Sequence, residues 1–294
     1  MVKHHFGGSW TERKLEALQE YLVQYQLIFT KNPNARKLRT IYVDAFAGTG
    51  DRDASEFPAK DQLFGYDNEI RSYQEGSARK ALSLENKFHQ YVFIDIKPKH
   101  ASALQGLIQS EFSEISDRCL IKQEDANHWL QDWCRSEDWR AQRAVVFLDP
   151  YGMSVDWETI EAIARTKAID LWVLFPFAIG VNRMMPKAAL PNSAWSGKLT
   201  AIFGTEEWKQ RCYREDRSAD LFGDTSGSVV KIAGMDDILE FFLDRLSSVF
   251  EKVVDQPLIL ENSNHTPMYA LCFAAGNPRG APTAVRIASY LTRK

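Results

Sequence analysis

The sequence has no pair of cysteines at a spacing that binds zinc. Its four cysteines (Cys119, Cys134, Cys212 and Cys272) are scattered along 294 residues, so we expect reduced thiols, no metal site and a cytoplasmic protein. A run of about 18 apolar residues is lacking, as is an apolar core near the N-terminus, so neither a transmembrane helix nor a signal peptide is expected. The net charge of −3 excludes a global basic bias toward nucleic acid but leaves a local basic face open.

Residues 41–50 are the most informative stretch of the chain. An apolar strand ends in Asp44, and small residues closed by Gly48 and Gly50 follow. Glycine has no Cβ, so a ligand can approach such a backbone closely. No Lys-Ser/Thr follows, which excludes a phosphate-binding P-loop. A carboxylate at this place instead favours a ligand with a cationic amino-acid end, namely S-adenosylmethionine, although an ordinary tight turn would give the same pattern.

Apolar strands alternate with helical patterns over the first two thirds of the chain. We predict a helix over 11–28 capped by Ser9 or Thr11, and then strands over 40–45, 91–94, 120–122, 144–148 and 170–175. The intervening helices are expected over 77–87, 97–111, 125–133 and 157–165, and a further helix over 235–250. Residues 253–260 and 268–275 are expected to pair antiparallel. This alternation predicts an α/β domain with a parallel sheet covered on both faces.

Acidic residues follow four of these strands in succession: Asp44, Asp95, the Glu124-Asp125 pair and Asp149. Any one of them could simply cap a helix, but ligands of open α/β sheets bind at the carboxyl ends of strands. We expect Asp95 to bind the ribose hydroxyls and Asp125 to meet the adenine amino group. The full predicted cofactor set is Asp44, Phe46, Ala47, Gly48, Gly50, Asp95, Ile96, Asp125, Ala126 and Asp149.

The spacing between the glycines and Asp95 is long. Gly50 and Asp95 are 45 positions apart, whereas an acid that binds ribose usually lies about 20 residues after the glycines. The prediction therefore requires residues 51–74 to be an inserted loop and the first crossover helix to begin at Gly76-Ser77. Asp53 stands where a dinucleotide-binding loop has its third glycine, which disfavours an NAD-linked oxidoreductase.

Asp149-Pro150-Tyr151-Gly152 follows the fourth strand. These residues also favour a plain turn. As catalytic residues, Asp149 and Pro150 would accept hydrogen bonds from a substrate amino group and Tyr151 would stack on its ring. The motif resembles the Asp-Pro-Phe-Gly of tRNA guanine-N2 methyltransferases. In the segment 177–228, Asn182, Arg183, Lys187 and Trp195 either contact a nucleic-acid substrate or belong to a solvated loop.

Several segments together resemble the three-Cys-motif partner family over nearly the whole length. They are 3–15 (KHHFGGSWTERKL), 42–50 (YVDAFAGTG), 75–77 (EGS), 93–95 (FID), 147–153 (FLDPYGM) and 274–280 (AAGNPRG). The family is bacterial and phage-associated and is named for a neighbouring three-cysteine protein that resembles radical S-adenosylmethionine enzymes. The resemblance implies a methyltransferase-like fold and a three-cysteine protein partner, and it brings no settled substrate.

Residues and resemblance together predict a Rossmann-like class I methyltransferase fold of three α/β/α layers. Its mostly parallel seven-stranded sheet would end in an antiparallel strand, within one domain over 1–294. Residues 1–39 would form an N-terminal helical segment, and 177–228 an insertion that covers substrate or partner. The leading hypothesis is S-adenosylmethionine-dependent methylation of an amino group of a nucleobase, without a metal. The alternative is a non-catalytic scaffold for the three-cysteine protein. His4 and His5 either act on the substrate or lie in a segment that Phe6 and Trp10 anchor.

Overall fold

The computed structural model describes residues 9–45, 76–150, 152–215 and 229–294. The strands are β1 (Arg39–Ala45), β2 (Gln90–Ile94), β3 (Cys119–Lys122), β4 (Gln142–Leu148), β5 (Ile169–Phe175), β6 (Tyr213–Glu215), β7 (Val229–Lys231), β8 (Lys252–Val253), β9 (Leu258–Glu261) and β10 (Pro267–Ala275). The helices are α1 (Ser9–Lys31), α2 (76–82), α3 (Pro98–Glu111), α4 (Ala126–Ser136), α5 (Trp157–Arg165), α6 (Ser193–Phe203), α7 (Trp208–Cys212), α8 (Met235–Val249) and α9 (Ala281–Thr292).

The main sheet has the strand order β3-β2-β1-β4-β5-β10, with β8 and β9 both paired to β10. Strands β1 to β5 are parallel to one another, and β10 is antiparallel to β5, β8 and β9. Since β8 and β9 bind successive parts of β10, they fill one interrupted position, and the sheet has seven positions. The direction in which successive strands are added to the sheet reverses between β1 and β4, and β10 is antiparallel to β5 near the far edge. These two features confirm the predicted Rossmann-like class I methyltransferase fold.

Helices cover both faces of this sheet, which gives the three predicted layers. Side chains alternate between the faces because successive Cβ atoms of a strand point in opposite directions. In β1, Ile41, Val43 and Ala45 pack with α4, α5, α6 and α8, whereas Tyr42 packs with α1, α2, α3 and α9. No helix in the described part of the chain is long and apolar enough to cross a membrane.

All five parallel strands and β10 lie where the sequence predicts them, within two residues at each end. The partner strand predicted over 253–260 is instead divided into β8 and β9, with residues 254–257 in neither strand. Helices α1 and α4 each continue three residues beyond their predicted ends at 28 and 133, and two further helix-end predictions are wrong. Helix α2 stops at residue 82, not 87, because the Lys87 Nζ donates to the Leu82 carbonyl over 2.6 Å and the chain turns there. Ser9 and Thr11 are not N-caps, since α1 already includes both of them. The division into a segment 1–39 and an insertion 177–228 stays a prediction.

Asp170 is a buried acid near the start of β5, at the edge of the sheet formed by the amino ends of the parallel strands. The hydroxyl of Tyr21 donates to the Asp170 carboxylate over 2.7 Å, inside the layer that α1 forms on the sheet. Burial raises the pKa of Asp170 to about 7, although the bond from Tyr21 and the charge of Arg143 oppose the shift. The group anchors α1 to the sheet, far from the strand ends that bind ligands in such folds.

The end of α6 depends on a glycine in the left-handed conformation. Gly204 caps the helix with φ of 66°, and its N–H donates to the Thr200 carbonyl. A Cβ at this position would lie 1.9 Å from Cδ1 of Trp157, a fully buried side chain of α5. Both the conformation and the close approach of the indole therefore require glycine.

Candidate functional site

Three carboxylates lie at the carboxyl ends of neighbouring parallel strands. Asp44, Asp95 and Asp149 each come two positions after a core aromatic residue of β1, β2 and β4, namely Tyr42, Phe93 and Phe147. Since the side-chain period of a strand is two, each acid projects to the same face as that aromatic residue, the face covered by α1 and α2. We call Asp44, Asp95 and Asp149 the strand-end acids. The strand order brings them together at one edge, as the sequence predicts.

Asp44 occupies the centre of this edge and is 3% exposed. Its Oδ2 accepts from the Tyr42 hydroxyl at 3.3 Å, and the Ser77 hydroxyl of α2 also donates to it. Burial raises the pKa of Asp44 to about 7, and the hydrogen bonds from Ser77 and Tyr42 oppose that shift. Ser77 lies within the first turn of α2, and its side chain hydrogen-bonds to Asp44. Asp44 is therefore poised to ionise when a cation approaches.

Lys14 of α1 joins this site, and sequence reasoning missed it. Its ammonium forms an ion pair with Oδ2 of Asp149, and the whole residue is 1% exposed. The ammonium also lies 5.8 Å from the centre of the Phe147 ring, within the range of a cation–π contact. Asp149 and Lys14 both act electrostatically on Asp44, which places the three charges in one cluster. A buried ammonium needs such a partner, so α1 is held on the site by charge as well as by apolar packing.

Asp95 is held in a fixed orientation just beyond β2. Its Oδ1 accepts the Lys97 backbone N–H at 2.8 Å, and its Oδ2 lies 2.7 Å from Nδ1 of His100. Burial raises the pKa of Asp95, and these two partners oppose the shift. A carboxylate offers about four acceptor positions, so both oxygens retain capacity for the two hydroxyls of a ribose.

The region predicted to bind the adenine is more exposed to solvent than the surroundings of Asp44 and Asp95. Asp125 is exposed and caps α4, because its Oδ1 accepts the His128 N–H at 2.9 Å. Ala126 is fully buried at the start of α4, whereas the Ile96 side chain is 47% exposed directly after Asp95. An exposed isoleucine beside the acid predicted to bind ribose offers an apolar surface on which a base can lie.

Asn127 ties the start of α4 to the loop after β4, another contact that sequence reasoning missed. Its side chain donates to the Ser154 carbonyl at 2.7 Å and accepts the Asp156 N–H at 3.0 Å. A polar residue two positions after Asp125 was its only signal in the sequence. The contact brings the third and fourth strand ends together, with Pro150 buried and Gly152 turning the chain at φ of 71°.

The predicted substrate residues follow β5 at the same edge. A π-helical turn, Phe177–Val181, leads into the 3₁₀ turn Asn182–Met184. Asn182 accepts a hydrogen bond from Lys231, and the side chain of Arg183 is exposed. Trp195 is half-buried at the start of α6 and packs on the core, so its ring is only partly available for stacking. Phe46, Ala47, Gly48, Gly50 and Tyr151, with His4 and His5, lie outside the described residues.

A surface cavity of about 530 Å³ lies away from this edge, between α4 and α5. Charged and polar side chains such as Arg135, Glu158 and Arg165 line it. None of the strand-end acids contributes to its wall, so we assign the candidate site to the strand ends and not to this cavity.

No protein-family model and no curated protein matches the sequence. Similar solved structures include spermidine synthase from Thermotoga maritima, with 10% identity and a TM-score of 0.41 over 92% of this chain and 61% of that enzyme. A Legionella pneumophila protein of the family DUF519 has 12% identity and a TM-score of 0.45, covering 96% and 91%. Escherichia coli yhhF, described as a candidate methyltransferase, has 12% identity and a TM-score of 0.32, covering 87% and 86%. At these values we base no functional argument on the likenesses.

Proposed function

We propose that this protein is an S-adenosylmethionine-dependent methyltransferase that acts on an amino group of a nucleobase in DNA or RNA. The observation that carries the proposal is the set of strand-end acids on one face of a class I methyltransferase sheet. Two of them, Asp44 and Asp149, interact electrostatically. Two buried carboxylates, Asp44 and Asp95, beside the partly buried Asp149 cost folding free energy, which makes a ligand-binding role the better explanation.

Each acid meets a different part of the cofactor in this proposal. Asp95, fixed by the Lys97 N–H and His100, binds the ribose hydroxyls, and Ile96 with Ala126 lies against the adenine. Asp125 accepts from the adenine amino group, with its second oxygen free of the capping bond to His128. Asp44 pairs with the ammonium of the methionine end.

Asp149 would orient the acceptor. When bound, S-adenosylmethionine supplies a methyl group attached to a sulfonium sulfur. The bond from that sulfur to the methyl carbon breaks as the acceptor nitrogen bonds to the carbon, and the sulfur product is a neutral thioether. Asp149 accepts a hydrogen bond from the amino group and directs the nitrogen lone pair at the methyl carbon, while the ion pair with Lys14 fixes the orientation of the carboxylate. The proton that the amino group loses leaves to solvent through Asp149.

The experiment is transfer of a radiolabelled methyl group from S-adenosylmethionine to DNA, tRNA and protein pools. Asp149→Asn should abolish transfer while leaving cofactor affinity within a few-fold, because the acid faces the acceptor. Asp132→Asn, an exposed acid of α4, is the matched control and should keep full activity. Full activity of Asp149→Asn would remove Asp149 from the mechanism.

One observation favours a second candidate, a non-catalytic scaffold or specificity subunit. Asp149 already has a buried cationic partner in Lys14, an arrangement that also suits a purely structural role. In this case the resemblance to the three-Cys-motif partner family would carry the function: a cytoplasmic bacterial or phage protein that binds a three-cysteine, radical S-adenosylmethionine-like protein. A stable complex with that protein, together with no methyl transfer to any pool, would select the scaffold.

A further inference from the structure

The C-terminal part of the chain is basic although the whole protein is acidic. After Glu261, residues 262–294 contain Arg279, Arg286, Arg293 and Lys294 but no aspartate or glutamate, while the net charge of the chain is −3. Most of this segment forms β10 and α9. None of these charges lies on β10: Arg279 precedes α9, Arg286 lies within it, and Arg293 and Lys294 follow its last residue.

Helix α9 presents this charge on a single face. Its apolar residues Ala281, Ala284, Ala288 and Leu291 are buried against the core. The opposite face carries Arg286, Tyr290 and Arg293, all exposed, at the spacing of four and three that aligns residues along a helix. Tyr290 is 68% exposed, and we call these three residues the α9 stripe. A shallow cavity of about 390 Å³ lies along the stripe.

The acids near the stripe are few, and they lie on α1. Lys294 pairs with Glu20 at 2.8 Å, and Glu16 also acts on Lys294. Within the described residues, neither Arg286 nor Arg293 forms an ion pair. Their two charges are thus available to an outside anion, and two guanidinium groups flank one exposed aromatic ring.

We propose that the α9 stripe binds a single-stranded segment of nucleic acid, with phosphates on Arg286 and Arg293 and one base stacked on Tyr290. Guanidinium groups bind phosphate in bidentate fashion, and a solvent-facing aromatic ring between them supplies the stacking surface that single strands use. A duplex hides its base faces and gains nothing from Tyr290. A membrane surface would need more apolar side chains on this face than Tyr290 alone.

The stripe also lies on the side of the sheet where the candidate site opens. Glu20, which holds the end of α9, is six residues from Lys14 on α1, which is about 9 Å along the helix axis. Trp10, at the start of α1, stacks on Tyr269 of β10 with ring centres 5.4 Å apart. A strand bound along α9 can therefore continue over α1 to the strand-end acids. That a bound single strand is the methyl acceptor rests on the proposed function, whereas binding of the strand to the α9 stripe does not depend on catalysis.

The test is fluorescence anisotropy of a labelled 12-nucleotide RNA, the same sequence as single-stranded DNA, and the DNA duplex. Arg286→Glu/Arg293→Glu should weaken single-strand binding at least tenfold and flatten its salt dependence by about 1.4 in log–log slope, for two lost phosphate contacts. The matched control is Arg135→Glu/Arg140→Glu, which changes the net charge equally on exposed residues elsewhere and should alter affinity less than twofold. Tyr290→Ala should weaken single strands at least fivefold and leave the duplex unchanged.

Equal losses in the two double variants, no binding of any oligonucleotide, or preferred binding of polyglutamate would overturn the inference. The same double variant should bind S-adenosylmethionine like the wild type. If the wild type binds single strands through the stripe but never binds S-adenosylmethionine, the proposed function fails and the α9 stripe stands. The relative affinities for the RNA and DNA strands identify which nucleic acid the stripe prefers.

Discussion

The pKa of Asp44 makes cofactor affinity depend on pH in a calculable way. Burial raises that pKa to about 7, against a usual value near 3.8, and the charged and polar groups that act on it are Tyr42, Ser77, Lys14 and Asp149. The ammonium of S-adenosylmethionine pairs only with the ionised form. With a pKa of about 7, the ionised fraction is about 9% at pH 6 and about 76% at pH 7.5. The α-amino group of the ligand, with a pKa near 8, loses roughly a quarter to a third of its charge by pH 7.5, so the affinity should rise about sixfold between these two pH values.

The sign of this effect follows from linkage. A bound cation favours the carboxylate and lowers its pKa, so at pH 6 binding releases a proton and at pH 7.5 it releases little. Calorimetry in buffers of different ionisation enthalpy measures this release directly, and we expect about 0.9 proton per ligand at pH 6. The methyl group and adenosine carry no part of the effect, because neither lies at Asp44.

Two controls isolate the role of Asp44. Asp44→Asn cannot ionise, so its affinity for S-adenosylmethionine should be low and independent of pH. The ligand 5′-methylthioadenosine lacks the amino-acid end, and its affinity for the wild type should not change between pH 6 and 7.5. A flat pH profile of S-adenosylmethionine binding in the wild type, or the same slope in Asp44→Asn, would refute the assignment.

Three predictions concern the fold. The unfolding free energy of the wild type should fall between pH 5 and 8, because the raised pKa of about 7 makes ionisation of Asp170 less favourable in the native than in the unfolded protein. In urea titrations, Asp170→Asn should reduce this fall by roughly 2 to 3 kcal/mol, and an unchanged pH slope would contradict the argument. Gly204→Ala should cost several kcal/mol, whereas Gly197→Ala, whose Cβ meets nothing within 4 Å, should be neutral or stabilising; equal unfolding midpoints would exclude the steric argument. Lys14→Met should destabilise by about 3 kcal/mol because it strands a carboxylate partner, and adding Asp149→Asn should restore part of the loss; additive losses in this double-mutant cycle would show that the two residues act separately.

The parallel core could be predicted because its strands are buried on both faces. Such strands are continuous apolar runs, as in Ala144–Leu148 and 170–175, and they end at acids or turn residues that mark the boundary. The closing pair was predictable from the turn at Asn262, whose side chain binds the backbone of Asn264 and Thr266. The terminal helix α9 escaped prediction, since its small alanine stripe gives a weak periodic signal.

The candidate site was predictable in its acids and not in its cation. Asp44, Asp95 and Asp149 share a face because each comes two positions after an aromatic residue of its strand, a spacing that can be read from the sequence. Lys14 gave a signal that we did not use: it stands one helical turn before Leu18 on the buried face of α1, where a charge needs a buried partner. Which acid would pair with it depends on the packing of α1 over β4, a contact between residues 135 positions apart.

The measurement that tests the central claim most directly is isothermal titration of the purified protein with S-adenosylmethionine, S-adenosylhomocysteine and NAD. The account predicts one site for each of the first two ligands, lost in Asp95→Ala and retained in Asp132→Ala, and no binding of NAD. Failure to bind either sulfur ligand, or selective binding of NAD, would contradict it.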